Sequence, residues 1–341
     1  MITRASGSGT GKASAPNPLR ERALGKRASC LLRPTSPFHF DGTFHKPSHF
    51  PAPLEAWEPG RYWRSLRIDD RLYGVRICDA GSTRSPALRV SVFSDREVKT
   101  SELMEVRDEL IWRFDLYADL DEFEKLGEKD SRFGRVFRRW RGSRDSCANS
   151  LYELIVIAVL LQNATVRRTV QMMDSLLRTF GTHLTFDSKS LFAMWRPRDL
   201  ASVPEQRLRS LKLGYRARFL KRLSSDFARH IVDEAALRAM DVPAAGKELM
   251  QLYGVGPETA RILLYPACHR YFPLAHIAPW QQKIYSRLFY AKALVPAGKI
   301  AKDLNQTFGQ YATLAVHYAW EDLFWRHSRK PIPWLKKEIR L

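Results

Sequence analysis

The sequence of 341 residues holds only four cysteines, Cys30, Cys78, Cys147 and Cys268, and no two stand at the spacing of a zinc site, a redox pair or a disulfide framework. The scatter fits a reducing compartment and excludes structural metal and iron–sulfur classes; no metal or other cofactor is expected. No stretch approaches the roughly 20 apolar residues of a membrane span, so no membrane partner is expected. No internal repeat is evident. Acid is the other shortage, with 36 Asp+Glu against 56 Lys+Arg and a formal charge of +20. Between Glu258 and Asp303 there is no acid at all. A basic excess of this size argues for a polyanionic partner, though not for any fold.

Hydrophobic content of 45% is enough for a full core, and the length suggests two or three domains. Residues 1–35 carry seven Lys/Arg and one Glu among Ser, Gly, Ala and Pro, and read as a disordered basic tail. Their composition also resembles an organellar transit peptide; a solvated tail, or an overlong start to the reading frame, is the favoured account. Residues 36–100 read as a β-rich amino-terminal domain. Tyr62 to Ile68, Leu72 to Ile77 and Leu88 to Phe93 alternate as strands do, with Asp69-Asp70 as a turn.

After Val98 the pattern is helical to the end, giving a body over 101–330 and a basic tail over 331–341. Glu102 to Phe114 is amphipathic. Leu151, Leu154, Ile155, Ala158 and Val159 form the stripe of a core helix that stops at Gln162-Asn163-Ala164-Thr165, amides read as capping the next helix. Arg138, Arg139 and Arg141 read as a solvated basic face, with phosphate contact as the alternative.

The densest signal is Leu252-Tyr253-Gly254-Val255-Gly256-Pro257-Glu258-Thr259-Ala260. Gly254 and Gly256 bracket a turn too tight for most side chains, and Pro257 suits the first position of a second helix. Such a helix–hairpin–helix turns backbone N–H groups of Gly254, Val255, Gly256 and Thr259 outward, which suits phosphate. Packing alone is the competing account, and the net charge tips the reading toward phosphate.

Four segments together resemble the helix–hairpin–helix DNA glycosylases of the 8-oxoguanine glycosylase and 3-methyladenine glycosylase II branch. They are Ile111 to Asp121, Glu153 to Arg168, Leu211 to Phe219 and the hairpin; Phe308 to Ala312 fits too. The resemblance implies an α+β fold, a mainly helical two-lobed body with an amino-terminal antiparallel β-sheet layer. It implies a monomer that flips a damaged base out of duplex DNA and cleaves its N-glycosidic bond, in the cytoplasm or nucleoid, or in a nucleus or organelle if the source is eukaryotic. Asn163 matches the residue that fills the gap left by the flipped nucleotide, Arg168 one that contacts the orphaned base, and Lys283 a basic residue after the family's aspartate. Trp320 matches an aromatic that stacks on the flipped base. Trp280 joins it in the expected base pocket, and Val316 stands where the 8-oxoguanine enzymes place a recognition glutamine. An apolar pocket of this kind suits an alkylated purine or a deaminated base.

Both chemical positions depart from the family. Glu258 stands where bifunctional members place the lysine that forms a Schiff base, so a monofunctional enzyme is expected. Ala278 stands at the position of the aspartate that stabilises the oxocarbenium-like sugar, when Lys283 and Arg287 set the register; Pro273-Leu274 as anchor gives Ala275 instead. Three readings compete: a chain altered at this position, a natural enzyme using another group, with His276 or Glu258 nearest, or a non-catalytic binder of DNA or lesions.

Overall fold

A computed structural model describes residues 20–130 and 133–338. The described part begins with β1 (Arg20–Ala23) and β2 (Lys26–Leu32), then a short helix α1 (Phe40–Phe44) and strands β3 (Glu55–Glu58), β4 (Arg61–Ile68), β5 (Arg71–Asp79) and β6 (Leu88–Ser94). Helices α2 (Thr100–Arg113), α3 (Asp121–Lys129), α4 (Gly134–Trp140), α5 (Leu151–Leu161) and α6 (Val166–Phe180) lead to β7 (Thr182–Phe186) and β8 (Lys189–Ala193). Then come α7 (Pro197–Ala201), α8 (Glu205–Ser210), α9 (Arg216–Ala228), α10 (Glu234–Ala239), α11 (Val242–Gln251) and α12 (Pro257–Cys268). The described chain finishes with α13 (Pro279–Tyr290), α14 (Ala297–Phe308), α15 (Ala312–Arg329) and α16 (Pro333–Glu338). The architecture is the expected α+β one.

Strands β2 to β6 form an antiparallel sheet in the order β2-β6-β5-β4-β3. Its alternation sends Tyr62, Leu66, Val75, Ile77, Val90 and Val92 to a face covered by α1 and α2, while Trp63, Leu72 and Phe93 face the other way. The helical body has two cores. One gathers α5, α6, α9, α11 and α12 around Ile155, Leu176, Leu220 and Leu263. The other gathers α3, α4, α13, α14 and α15 around Phe123, Ile284, Leu304 and Tyr318.

Three expectations change. Residues 20–32, assigned to a disordered tail, form β1 and β2, because β2 pairs along its whole length with β6 and buries Leu32; residues 1–19 lie outside the described residues. The body is not helical throughout: β7 and β8 form a hairpin whose two-residue turn, Asp187-Ser188, has positive φ at both positions. Neither this hairpin nor β1 could stand alone. Parallel pairing of β1 with β7, the Phe186 ring lying against Gly74, and Asp187 accepting from Trp63 and Arg76 at 2.6 and 2.8 Å hold them on the main sheet. Finally, the supposed carboxy-terminal tail contains α16, which packs because Leu335 is fully buried and Trp334 lies under Arg287; residues 339–341 lie outside the described residues.

The layer and the body meet at Glu153, in the first turn of α5. Its Oε2 accepts from Arg64 of β4 at 3.2 Å, from Arg113 of α2 at 3.3 Å and from the Ser150 N–H at 2.8 Å. Burial pushes this carboxyl up, but Arg113, Arg64 and the Ser150 N–H outweigh it and hold the pKa below its ordinary value. Ionised Glu153 therefore stabilises the fold above the unfolded pKa of about 4.3, and the contribution fades as pH falls through the lower folded value. Glu153→Gln leaves two buried guanidinium groups short of a charge and is expected to cost about 3–5 kcal/mol at pH 7. Urea denaturation should show the gap between parent and variant narrowing below pH 4.

Candidate nucleic-acid interface

α11 starts on a capping carboxylate, Asp241 to the Ala244 N–H at 2.8 Å, and ends at Leu252. Gly254 then takes φ +90°, where a side chain would be strained and a Cβ would meet the Phe219 ring at 2.7 Å. Val255 is buried and its N–H, expected to face phosphate, instead closes the turn by donating to the Leu252 carbonyl at 2.9 Å. Gly256 is the N-cap of α12 with extended backbone, φ −92° and ψ 177°, and no side chain caps the helix. A Cβ on Gly256 would meet nothing within 4 Å, so this corner faces open space. The first-turn N–H groups, Thr259 among them, are left for an anion at the positive end of a 12-residue helix. Arg218 and Arg222 lie over the Tyr253 ring at 5.6 and 4.6 Å and hold positive charge beside the turn.

A second loop is tied to the hairpin. Gln162 donates from Nε2 to the Gly254 carbonyl at 2.7 Å and so does not cap α6. Thr165 does that, accepting from the Arg168 N–H at 3.2 Å. Asn163 sits exposed at φ +48°, its Nδ2 3.4 Å from the Tyr215 hydroxyl. The Arg168 guanidinium donates to the Lys212 carbonyl. Tyr215 was not singled out in the sequence, yet it is 40% exposed beside Asn163, its hydroxyl donating to the Gln162 carbonyl at 3.2 Å. The signal was available: Lys212 and Gly214 both take positive φ, in a basic segment with one aromatic. Arg139 and Arg141 are engaged elsewhere, with Asp322 at 2.6 Å and Glu124 at 2.8 Å, as befits a structural face.

Beyond α12 the chain returns to the same neighbourhood. His276 Nε2 lies 3.6 Å from a Glu258 oxygen, and Arg261 holds the other at 3.0 Å. Two residues after His276, Ala278 is the N-cap of α13 at φ −64° and ψ 151°. Its N–H donates to Gln281 Oε1 at 3.1 Å, and its methyl leaves the first-turn N–H groups uncapped. Glu258 and His276 thus come together, two residues before the Ala278 N-cap. Trp280 is 46% exposed and meets Trp320 edge-on at 5.7 Å between ring centroids. Val316 is buried in the second core. Lys283 is bound to Glu338 of α16 at 3.1 Å.

One turn after Glu258, Ile262 is 59% exposed at the edge of a cavity of about 180 Å³. Its walls come from the segment after α1 (Lys46, His49, Phe50) and from α5 (Leu154, Ile157, Leu161), and none of Trp280, Val316 and Trp320, the expected base pocket, lines it, because Val316 and Trp320 pack into the second core. The sequence reading passed over Phe44-His45-Lys46-Pro47-Ser48-His49, a polar run before the first alternating strand.

No family model and no curated protein matches the chain. Solved structures do. The 3-methyladenine DNA glycosylase of Archaeoglobus fulgidus aligns over 88% of this chain and 98% of its own, with TM-score 0.66 and 17% identity. The 8-oxoguanine glycosylase/lyase of Clostridium acetobutylicum, in complex with duplex DNA containing cytosine opposite 8-oxoguanine, aligns over 91% and 99%, with TM-score 0.63 and 18% identity. MBOgg1, in complex with a low-affinity DNA ligand, aligns over 89% and 96%, with TM-score 0.65 and 19% identity. The chain has the helix–hairpin–helix glycosylase fold. At these identities the likeness concerns the fold, and chemistry has to be argued from the residues.

On this glycosylase fold the open corner at Gly256 can be tested directly. Gly256→Ala fits its backbone angles and is expected to cost less than about 1 kcal/mol in stability. A methyl between the N–H groups and a phosphate should nevertheless weaken duplex binding about tenfold, the worth of one hydrogen bond to a charged group. Fluorescence anisotropy on an undamaged duplex, beside a melting curve, measures both.

Proposed function

We propose that this chain is a DNA-repair N-glycosylase that binds duplex DNA through the α11–α12 hairpin and turns a damaged nucleotide out of the stack. The observation that supports the reading is the pairing of Glu258 with His276, two residues before the Ala278 N-cap of α13, with Ile262, one helical turn on from Glu258, at the edge of a base-sized cavity. Cleavage of the C1′–N bond leaves positive charge on the sugar, and a preorganised negative group beside it would stabilise the transition state. Here that place carries a methyl. Glu258 is the nearest carboxylate, but it is exposed and shared between Arg261 and His276. The enzyme is monofunctional on this reading, since a carboxylate at position 258 cannot form a Schiff base. It acts as a monomer wherever the chromosome lies: nucleoid, nucleus or organelle.

The methyl at Ala278 also favours a second reading, a lesion binder without catalysis on the same fold. Ala278→Asp separates the two. The N-cap geometry already present accepts Asp, one of the best capping residues, so the variant should gain about 1 kcal/mol in stability. Its base release over a panel of damaged duplexes should rise about 10²–10³-fold, leaving an intact abasic strand. A variant that is more stable but releases no base, while lesion DNA still binds preferentially, establishes the binder.

Duplex affinity should also fall steeply with salt, each neutralised phosphate contributing about −0.9 to the slope of log affinity against log salt. A flat dependence, measured by anisotropy between 50 and 300 mM salt (about a sixfold range), would remove the phosphate interface altogether.

A further inference from the structure

The cavity beside Ile262 has one wall that its apolar lining does not explain. Lys46 reaches it with its ammonium held by three acceptors: the Gly42 carbonyl at 2.6 Å, the Arg144 carbonyl at 2.7 Å and His317 Nε2 at 3.2 Å. His317 is kept neutral by burial and by Lys46, and its Nδ1 faces Asp145 Oδ1 at 3.3 Å, which fixes the tautomer that accepts from Lys46. Three acceptors for three N–H groups is the arrangement of a charged ammonium. Burial draws the Lys46 pKa down, with Glu321 and Asp145 acting against it. Among the described residues no carboxylate oxygen is within ion-pair distance of Nζ, and the two nearby carboxyls are themselves pushed up by burial, Asp145 to about 6 and Glu321 to about 7. Glu321 is turned to Ser48, whose hydroxyl donates to its Oε1. The other ions on the cavity wall, Arg64 and Glu55, neutralise each other at 2.9 Å. Lys46 lines the cavity, whereas Asp145 and Glu321 lie behind it and do not, so the cavity wall itself presents positive charge at Lys46 on a largely apolar surface.

Its size suits a single base, since an apolar cavity of about 150 Å³ takes up a benzene ring. A base filling it lies within about 8 Å of the Lys46 wall, where like charges in a partly desolvated setting lower a binding constant tenfold or more. We infer that Lys46 makes this cavity select neutral, carbonyl-bearing damaged bases, such as deaminated purines, against cationic N-alkylated purines. The inference rests on the proposed reading of a flipped base. His49 faces the same cavity and supplies a polar edge for a carbonyl group.

The experiment is equilibrium binding of the full chain to three otherwise identical duplexes, followed by anisotropy at one salt concentration. One holds hypoxanthine, one holds 2′-fluorinated 7-methylguanine, which is cationic and resists hydrolysis, and one is undamaged. The hypoxanthine duplex should bind about tenfold or more tighter than the methylguanine duplex, and Lys46→Met should bring the ratio to within about threefold. Equal or tighter binding of methylguanine by the unmodified chain overturns the inference and needs no variant, so a poorly folding Lys46→Met would not protect it. A ratio untouched in a folded Lys46→Met also overturns it. If neither lesion is bound above the undamaged duplex, the base-flipping reading falls, and this inference with it.

Discussion

Glu153 takes hydrogen bonds from Arg64 of the sheet, Arg113 of the linking helix and the N–H of Ser150, so one carboxylate sets the strand layer, α2 and the start of α5 relative to one another. The cluster is buried and can be satisfied in one arrangement only, because an unpaired guanidinium or carboxylate there would carry a large desolvation penalty. α5 transmits that constraint. Its 11 residues span about 16 Å as a rigid rod, and at the far end Gln162 holds the Gly254 carbonyl of the hairpin turn. The hairpin corner is thereby placed with respect to the β layer, and the cavity lined by Leu54, Glu55 and Arg64 of the layer and by Leu154, Ile157 and Leu161 of α5 lies along that rod.

The same scaffold gives α13 an N-terminus shaped for a capping acid while the side chain there is apolar. Ala278 has the extended backbone of a good N-cap, and Pro279 follows at the first helical position, so the local chain is shaped for a capping acid it does not carry. A neighbouring acid is present but differently committed. Glu258 stands in the first turn of α12, where the dipole favours it, and Arg261 and His276 share its charge.

Much of this was legible because it is local. The hairpin declared itself through Gly254, Gly256 and Pro257, residues whose backbone needs leave little choice, and β4, β5 and β6 through strict alternation. What escaped depends on distant partners. β1 and the β7–β8 hairpin exist because they pair with each other and lie on Trp63, Gly74 and Arg76, more than 100 residues from Asp187 in the chain. Gln162 and Asn163 looked like caps because amides near a helix start usually are; the short reach of Thr165 won that role and released them to the hairpin and to Tyr215. Lys46 was invisible for the same reason, since its three acceptors come from residues 42, 144 and 317.

Heterolysis of a glycosidic bond separates charge in two directions, and on the proposed glycosylase reading Ala278 and Lys46 would meet them differently. As the C1′–N bond breaks, its electron pair goes with the base, leaving the sugar positive; water then supplies the hydroxyl to C1′ and a proton to the base. On that reading an acid at position 278 would act on the positive half, and Ala278 supplies none. A cation at Lys46 acts on the negative half, and it helps only where the departing base is neutral beforehand and becomes anionic as it leaves. A cationic alkylated base departs as a neutral molecule and gains nothing from it. The acid shortage between Glu258 and Asp303 and the buried ammonium of Lys46 are therefore consistent with one electrostatic bias, toward stabilising what leaves over stabilising what stays.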